Sequence, residues 1–339
     1  MLVKVLNSVE WNQVYLVWRN YYEQRGHAIA FQTFFHPNNF FAPDSDTVGI
    51  PLKLGKTVTD EYMVIMSLQI YKQLAQHFVR QFLDAPLPPS LDELTIHKCE
   101  VIEAFTAITD TVLSKYKTKA KKLNKQHGRM RKAKEEAALA KRLVEEGKYV
   151  FMAIDLEAYE RDHSIILEIG WSIFDSRTRR FMDQHYLIDT YQHLINETFV
   201  DDQKLKFGYG TSVWCSLKQA LEELKKDLTW AVERDGGFVL VGHGLASDLK
   251  YLRQQKFMWP TADGGETKDV DNSACVAILN TDTIYGASIN DLHNPPSLGK
   301  TLDNFGVETW NLHNAGNDAH YTMLLLLILL GYENNNTIK

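Results

Sequence analysis

Two carboxylates separated by one residue, Asp155 and Glu157, close an apolar run that begins at Tyr149. The run is short and Gly147 precedes it, which predicts a buried strand rather than a helix. Side chains alternate faces along a strand, so Asp155 and Glu157 point the same way. Side by side they repel, and a divalent cation is the usual means of offsetting such repulsion. Alone, an Asp-x-Glu pair more often marks a strand running out into a loop. Three further residues change that balance: Asp248 behind Gly242-His243-Gly244, and His313 with Asp318 five residues later. His243, next to the glycines, is expected to be structural rather than a second base.

The elements around these residues must bring them together. After the carboxylate strand, His163 to Asp175 and Arg180 to Asp189 hold β-favouring residues about the turn-like Asp175-Ser176-Arg177. They predict a three-stranded antiparallel meander. Ser212 to Glu233 has helical periodicity and stops at Gly236-Gly237. Phe238 to Val241 predicts a second buried strand, and Ala246 onward a helix with Asp248 in its first turn. Val276 to Asp282 predicts another strand, and Ser297 to Phe305 a short helix capped by Ser297. Leu312 to Ala319 leads into an apolar helix through Leu330. The order β-β-β-α-β-α-β-α-α predicts an open mixed sheet with helices on both faces. Sites in such sheets gather where strand ends meet helix starts, and all five residues lie at such junctions.

Asp155-x-Glu157, Asp248 within Gly242-His243-Gly244-Leu245-x-x-Asp248, and His313-x-Ala315-x-x-Asp318 together resemble the three motifs of the DEDDh 3′–5′ exonucleases. That branch includes the proofreading subunits of DNA polymerases, ribonuclease T and the Rex-type RNA exonucleases. The resemblance covers about residues 148 to 332 and fills all five signature positions in order. It implies a ribonuclease-H-like α/β fold, a mixed five-stranded sheet with helices on both faces, here preceded by a mainly helical N-terminal region. Many members carry His-Asn at the second motif and an aromatic residue before its Asp. Gly244 and Ser247 stand in those places here. The Val241-Gly242-His243-Gly244-Leu245 form resembles the Rex-type and deadenylase-associated enzymes more than the proofreading ones, which tilts the substrate toward RNA. More loosely, the chain is similar to a fungal group that has an N-terminal extension and a connection with mRNA export.

Phosphodiester hydrolysis needs an activated water and stabilisation of charge on the phosphate and the leaving oxygen. Two divalent ions roughly 3.5–4 Å apart supply both. Mg²⁺ prefers carboxylate oxygens, and Mn²⁺ is the expected substitute. Asp155 is then the expected bridge, Glu157 and Asp318 complete one site, and Asp248 holds the second ion. His313, with a pKa near neutrality, is the expected general base. The expected activity is 3′–5′ exonucleolysis of single-stranded RNA or short oligonucleotides. One alternative is an RNA-associated adaptor for mRNA export or processing that keeps the nuclease fold. Another is a DNA 3′–5′ exonuclease. The residues that would bind the substrate's bases and sugars are not legible.

The remaining sequence bounds the setting. The 339 residues carry a net charge of −6, with 45% hydrophobic and 24% charged residues, as in a soluble globular protein. Cys99, Cys215 and Cys275 are too few and too widely spaced for a disulfide framework or a zinc cluster. Met1 to Asn20 shows no secretory signal and, carrying Glu10, is a poor mitochondrial presequence. The run Met323 to Leu330 is too short to span a bilayer, so no membrane is expected. An intracellular setting is expected, cytoplasmic, nuclear or both, with mitochondria left open.

Between Lys115 and Lys134 there are ten Lys/Arg and no Asp/Glu; without them the chain is left with 27 basic against 43 acidic residues. This segment predicts a helical linker over 115–147 and a contact with nucleic-acid phosphates. Before it, residues 1–114 predict helices over Val9 to Gln24, Thr59 to Leu83 and Leu91 to Ser114, with short strands and loops over Ala28 to Leu54. That region shows no recognisable chemistry; its aromatic residues read as core, and it is the expected seat of any protein partner. The expected exonuclease domain is 148–333, and 334–339 a tail. Oligomeric state is not legible.

Overall fold

The computed structural model describes residues 5–41, 49–199 and 201–332. The segment read as a tail lies outside them. The chain divides into two compact units, Met1–Arg129 and Met130–Lys339.

In the first unit the order is β1 (Val5–Glu10), α1 (Trp11–Gln24), α2 (Ala28–Phe34), α3 (Pro37–Phe40), β2 (Ile50–Thr57), β3 (Tyr62–Ser67), α4 (Leu68–Gln81), β4 (Ile96–Ala107) and the start of α5 (Asp110–Glu146). The four strands close an antiparallel barrel in the order β1-β3-β2-β4. Helices cover much of this unit, as expected, but the barrel was not anticipated. The expected helix over Thr59 to Leu83 is strand β3 followed by α4, whose N-cap is Ser67. Tyr62-Met63-Val64-Ile65-Met66 is a continuous apolar run, which periodicity alone cannot assign; pairing with β1 and β2 decides it. The expected helix over Leu91 to Ser114 is largely β4, rich in β-branched residues that suit a pleated surface. Ala28 to Phe40 is helical instead of short strands. The aromatic residues are core, as expected: Trp11, Trp18, Tyr22, Phe34 and Phe78 are buried together. Helix α5 runs unbroken through Gly128.

The second unit begins within α5 and continues with β5 (Val150–Tyr159), β6 (Asp162–Asp175), β7 (Arg180–Ile188), β8 (Val213–Cys215), α6 (Leu217–Asp235), β9 (Phe238–Gly242) and α7 (Ala246–Gln254). After these come the small pair β10 (Trp259–Pro260) and β11 (Glu266–Thr267), then β12 (Cys275–Asn280), α8 (Thr281–Ser288), α9 (Leu298–Asp303) and α10 (Ala315–Leu329). The main sheet is mixed, in the order β12-β9-β5-β6-β7-β8. It has six strands, not the expected five. The added strand, β8, is three residues long and pairs parallel to β7, too short to show a period in sequence. The meander β5-β6-β7 stands as expected. Ser216 caps α6 with a reciprocal capping box, and Gly236 ends it in the left-handed conformation, φ 79°.

Two cores sandwich this sheet. Met152, Ile154 and Leu156 of β5 pack with α6 residues such as Leu224 and Leu228. Phe151 and Ala153 pack on the opposite face with Met323, Leu326 and Leu327 of α10. Among the described residues, no helix is long and apolar enough to cross a membrane.

Candidate active site

The parity of β5 decides where its carboxylates emerge. Phe151 and Ala153 face α10, so Asp155 and Glu157 face the same side at the strand's end. Their register partners on β6 are Gly170 and Glu168. A Cβ at Gly170 would sit 2.2 Å from the carbonyl carbon of Ala315 and 2.3 Å from the Gly316 nitrogen. The first turn of α10 therefore rests on bare β6 backbone, which only glycine permits. That approach brings Asp318 beside Asp155, which feels the Asp318 charge more than that of any other carboxylate.

Asp248 reaches the site differently. It is buried in the first turn of α7, and its Oδ1 accepts the Leu156 N–H at 3.0 Å, between the two β5 carboxylates. His243 is clamped through Nδ1 to Thr281 Oγ1 at 2.9 Å and through Nε2 to the Pro296 carbonyl at 3.0 Å, a structural role as the sequence suggests.

His313 makes the turn into α10. Its φ of 66° is in the left-handed region, and its N–H donates to Asp318 Oδ2 at 3.0 Å. His313 itself takes the unusual conformation of this turn, not the nearby Gly316. Gly316 is needed instead for packing, because a Cβ there would lie 2.6 Å from the Phe207 ring and 2.9 Å from His185 Cβ. The His313 side chain is exposed. Ligand atoms of Glu157, His313 and Asp318 all lie within 4.8 Å of one another.

Electrostatics shows what this gathering costs. Burial, then repulsion from Asp318, Asp248, Glu157 and Glu168, pushes Asp155 well above the usual carboxylate range. Burial, followed by the Glu168 charge, raises Glu157 to about 8. Asp318 rises to about 7 through burial, against the His313 N–H bond. Asp248 rises to about 6 through burial, which its bond from Leu156 opposes. Asp155 Oδ2 and Asp318 Oδ1 are buried without a hydrogen-bond partner. Buried acceptors that lack donors and repel one another suit hard divalent cations held by oxygen. The donor set fits such ions.

Four residues here escaped the sequence reading. Glu168 interrupts the apolar run Ile165-Ile166-Leu167 and Ile169, which could have flagged it. Its Oε2 accepts the Ala315 N–H at 3.2 Å and meets His185 Nε2 at 2.9 Å. His185 is fully buried, and its Nδ1 meets Ser212 Oγ at 2.8 Å. Burial raises Glu168 to about 8 and lowers His185 to about 4, so near neutrality the pair is held uncharged. Asn314 caps α10 by accepting the Asn317 N–H at 3.1 Å. Its amide donates to the carbonyls of Gln203 and Lys204, each at 3.1 Å. Asn317 donates to the Lys206 carbonyl at 3.0 Å. The β7–β8 loop is thus tied to the start of α10.

A mixed sheet that converges four carboxylates and a histidine defines a nuclease-type domain. The description that matches it is DEDDh_C, "DNA polymerase III subunit epsilon-like, C-terminal domain", over residues 150–329. The chain belongs to this DEDDh family. It is 34% identical over 214 residues to the Saccharomyces cerevisiae protein "Uncharacterized protein YDR514C", covering 56% of this chain and 43% of that one. It is 30% identical over 208 residues to "Good for full DBP5 activity protein 2" of the same yeast, covering 55% and 36%. With the Schizosaccharomyces pombe "Uncharacterized nucleolar protein C2C4.08" it shares 32% over 199 residues, covering 56% and 73%. The match thus spans less than half of either S. cerevisiae relative.

Proposed function

We propose that residues 148–333 form a metal-dependent 3′–5′ exonuclease domain, of ribonuclease-H-like type, acting on single-stranded RNA or short oligonucleotides. The observation that carries this reading is the convergence of Asp155, Glu157, Asp248 and Asp318 with His313, leaving two buried carboxylate oxygens without donors. Asp155, Glu157, Asp248 and Asp318 are the residues that would hold the metal. When bound, Mg²⁺ or Mn²⁺ supplies Lewis acidity at the phosphate and lowers the pKa of a water. The His313 ring, exposed beside Glu157 and Asp318, takes the proton of the attacking water. Its backbone N–H holds Asp318 Oδ2 in place. Asp248, bonded to the Leu156 N–H, holds α7 against the carboxylate strand.

Purified chain, 5′-labelled RNA and Mg²⁺ test the reading. Stepwise shortening from the 3′ end, lost in Asp155→Ala, supports it. No released mononucleotide from the parent chain, or an unaltered Asp155→Ala, sinks it. Equal turnover of matched DNA would broaden the substrate to DNA.

A second reading rests on the yeast relative whose name refers to full DBP5 activity. On it, the chain is an adaptor in mRNA export or processing, with residues 1–114 contacting a protein partner. Capture of a partner that needs residues 1–114 and ignores Asp318→Asn would favour it. The nucleolar name of the fission-yeast relative supports a nuclear location for this chain, which a tagged copy would reveal.

A further inference from the structure

Helix α5 has two opposed faces within the first unit. One is fixed to the barrel. Leu113 and Ala120 are buried, and Tyr116 stacks on Phe105 of β4 with ring centroids 3.6 Å apart. Asn124 bonds both backbone groups of Tyr62 on β3, accepting its N–H at 2.7 Å and donating to its carbonyl at 2.8 Å. At 100° per residue, Lys115, Lys122, Lys125 and Arg129 fall within an arc of about 80° on the opposite side. All four are exposed. They span about 21 Å of helix axis.

Some exposed helix cations elsewhere in this chain have an acidic partner one turn away. Lys141 lies 3.9 Å from Glu145, Arg142 3.7 Å from Glu146, and Lys218 3.8 Å from Glu222. Among the described residues, none of Lys115, Lys122, Lys125 and Arg129 has a carboxylate within 4 Å, whereas Lys119, nearer the barrel, is paired with Glu103. The unit holding this face is basic, with 15 Lys/Arg against 12 Asp/Glu in residues 1–129, although the whole chain is acidic. No apolar side chain lies in the arc, so it lacks the anchors that a protein or peptide partner would bury. Regularly spaced cations on a fixed support suit a chain of phosphates, which needs charge and spacing but no pocket.

We infer that this face of α5 is a phosphate-binding rail for single-stranded RNA. The choice of RNA rests on the function proposed above; the phosphate chemistry does not. Such contacts position the strand without reading its sequence. The test uses the full chain in EDTA, where no turnover interferes, with a fluorescent 20-nucleotide oligouridylate as probe. Affinity is measured by anisotropy across a salt series for the parent and for the variant Lys115→Ala/Lys122→Ala/Lys125→Ala/Arg129→Ala.

Each phosphate contact on a single strand contributes about 0.7 to the slope of log affinity against log salt. The variant should therefore lose up to about 2.8 from that slope, with an unchanged melting temperature because all four side chains are exposed. A DNA strand of equal length should show the same loss. An unchanged slope overturns the inference, as does binding of polyglutamate that RNA fails to displace. Should the parent chain never release nucleotides while the slope still falls, the exonuclease reading fails and the rail stands.

Discussion

At the scale of single residues, the site separates groups that act from groups that hold. His313 is placed to act. General-base catalysis contributes roughly 10²–10⁴-fold, so His313→Ala should lower kcat for RNA shortening by that order with little change in KM. Single-turnover release of nucleotide would show it, and undiminished turnover would remove His313 from the mechanism. Glu168 is placed to hold. It bonds the Ala315 N–H, two residues after His313, and the buried ring of His185. Truncating it takes this partner from the Ala315 N–H and from His185 Nε2, and an orphaned buried group costs about 1–3 kcal/mol. Glu168→Ala should lower the melting temperature and speed hydrogen exchange of the Ala315 amide, while Glu168→Gln, which keeps an acceptor, should restore most of that protection. Exchange at Ala315 that is unmoved in Glu168→Ala would show that the bond holds nothing.

At the scale of elements, close approach of backbone decides where side chains meet. Gly170→Ala would drive a methyl group into the start of α10. Because the obstacle is backbone, α10 must move, carrying Asp318 with it. The variant should lose both stability and stabilisation by Mn²⁺, read by calorimetry with and without the ion. Gly128→Ala is the contrasting case: nothing lies within 4 Å of a Cβ there, and the residue sits inside a helix. It should stabilise the first unit by about 0.5–1 kcal/mol. These two glycines also show what the sequence discloses. An open position such as Gly128 interrupts nothing, since α5 runs through it. Gly170 reads as an ordinary strand residue, since its constraint comes from a helix 145 positions later. The longer elements of the second unit were legible because each has its own signal: an apolar run for β5 and β9, helical periodicity and a glycine stop for α6. The first unit was less so. Its strands β3 and β4 exist because they pair with each other's neighbours round a barrel, and long-range pairing leaves no periodicity to read. The catalytic candidates stood out as rare residue types at strand ends, whereas Glu168 and His185, which share a buried bond across neighbouring strands, looked like isolated polar residues.

At the scale of the whole molecule, charge is divided rather than balanced. The excess of acid falls after residue 129, in the unit that buries a carboxylate cluster. That cluster should make the metal-free chain lose stability as pH rises. An ordinary carboxyl ionises near pH 4 when unfolded, but in the folded site Asp318 holds its proton to about 7, and Glu157 and Glu168 hold theirs to about 8. Between those limits the folded state binds more protons than the unfolded state, so unfolding becomes easier with increasing pH. His185 works in the opposite sense, but only below the usual histidine pKa of about 6.5, because burial keeps it neutral down to about 4. The cleanest window is therefore pH 6.5 to 8, in EDTA, where the melting temperature should fall. Divalent ions should reverse the trend, since they bind deprotonated ligands and bind them only when folded. An ion at a hundred times its Kd adds about 2.7 kcal/mol, so the rise in melting temperature on adding Mn²⁺ should be larger at pH 8 than at pH 6.5. A metal-free melting temperature that climbs across this window would show that the carboxylates are not packed against one another, and the site would lose its reason to hold a cation.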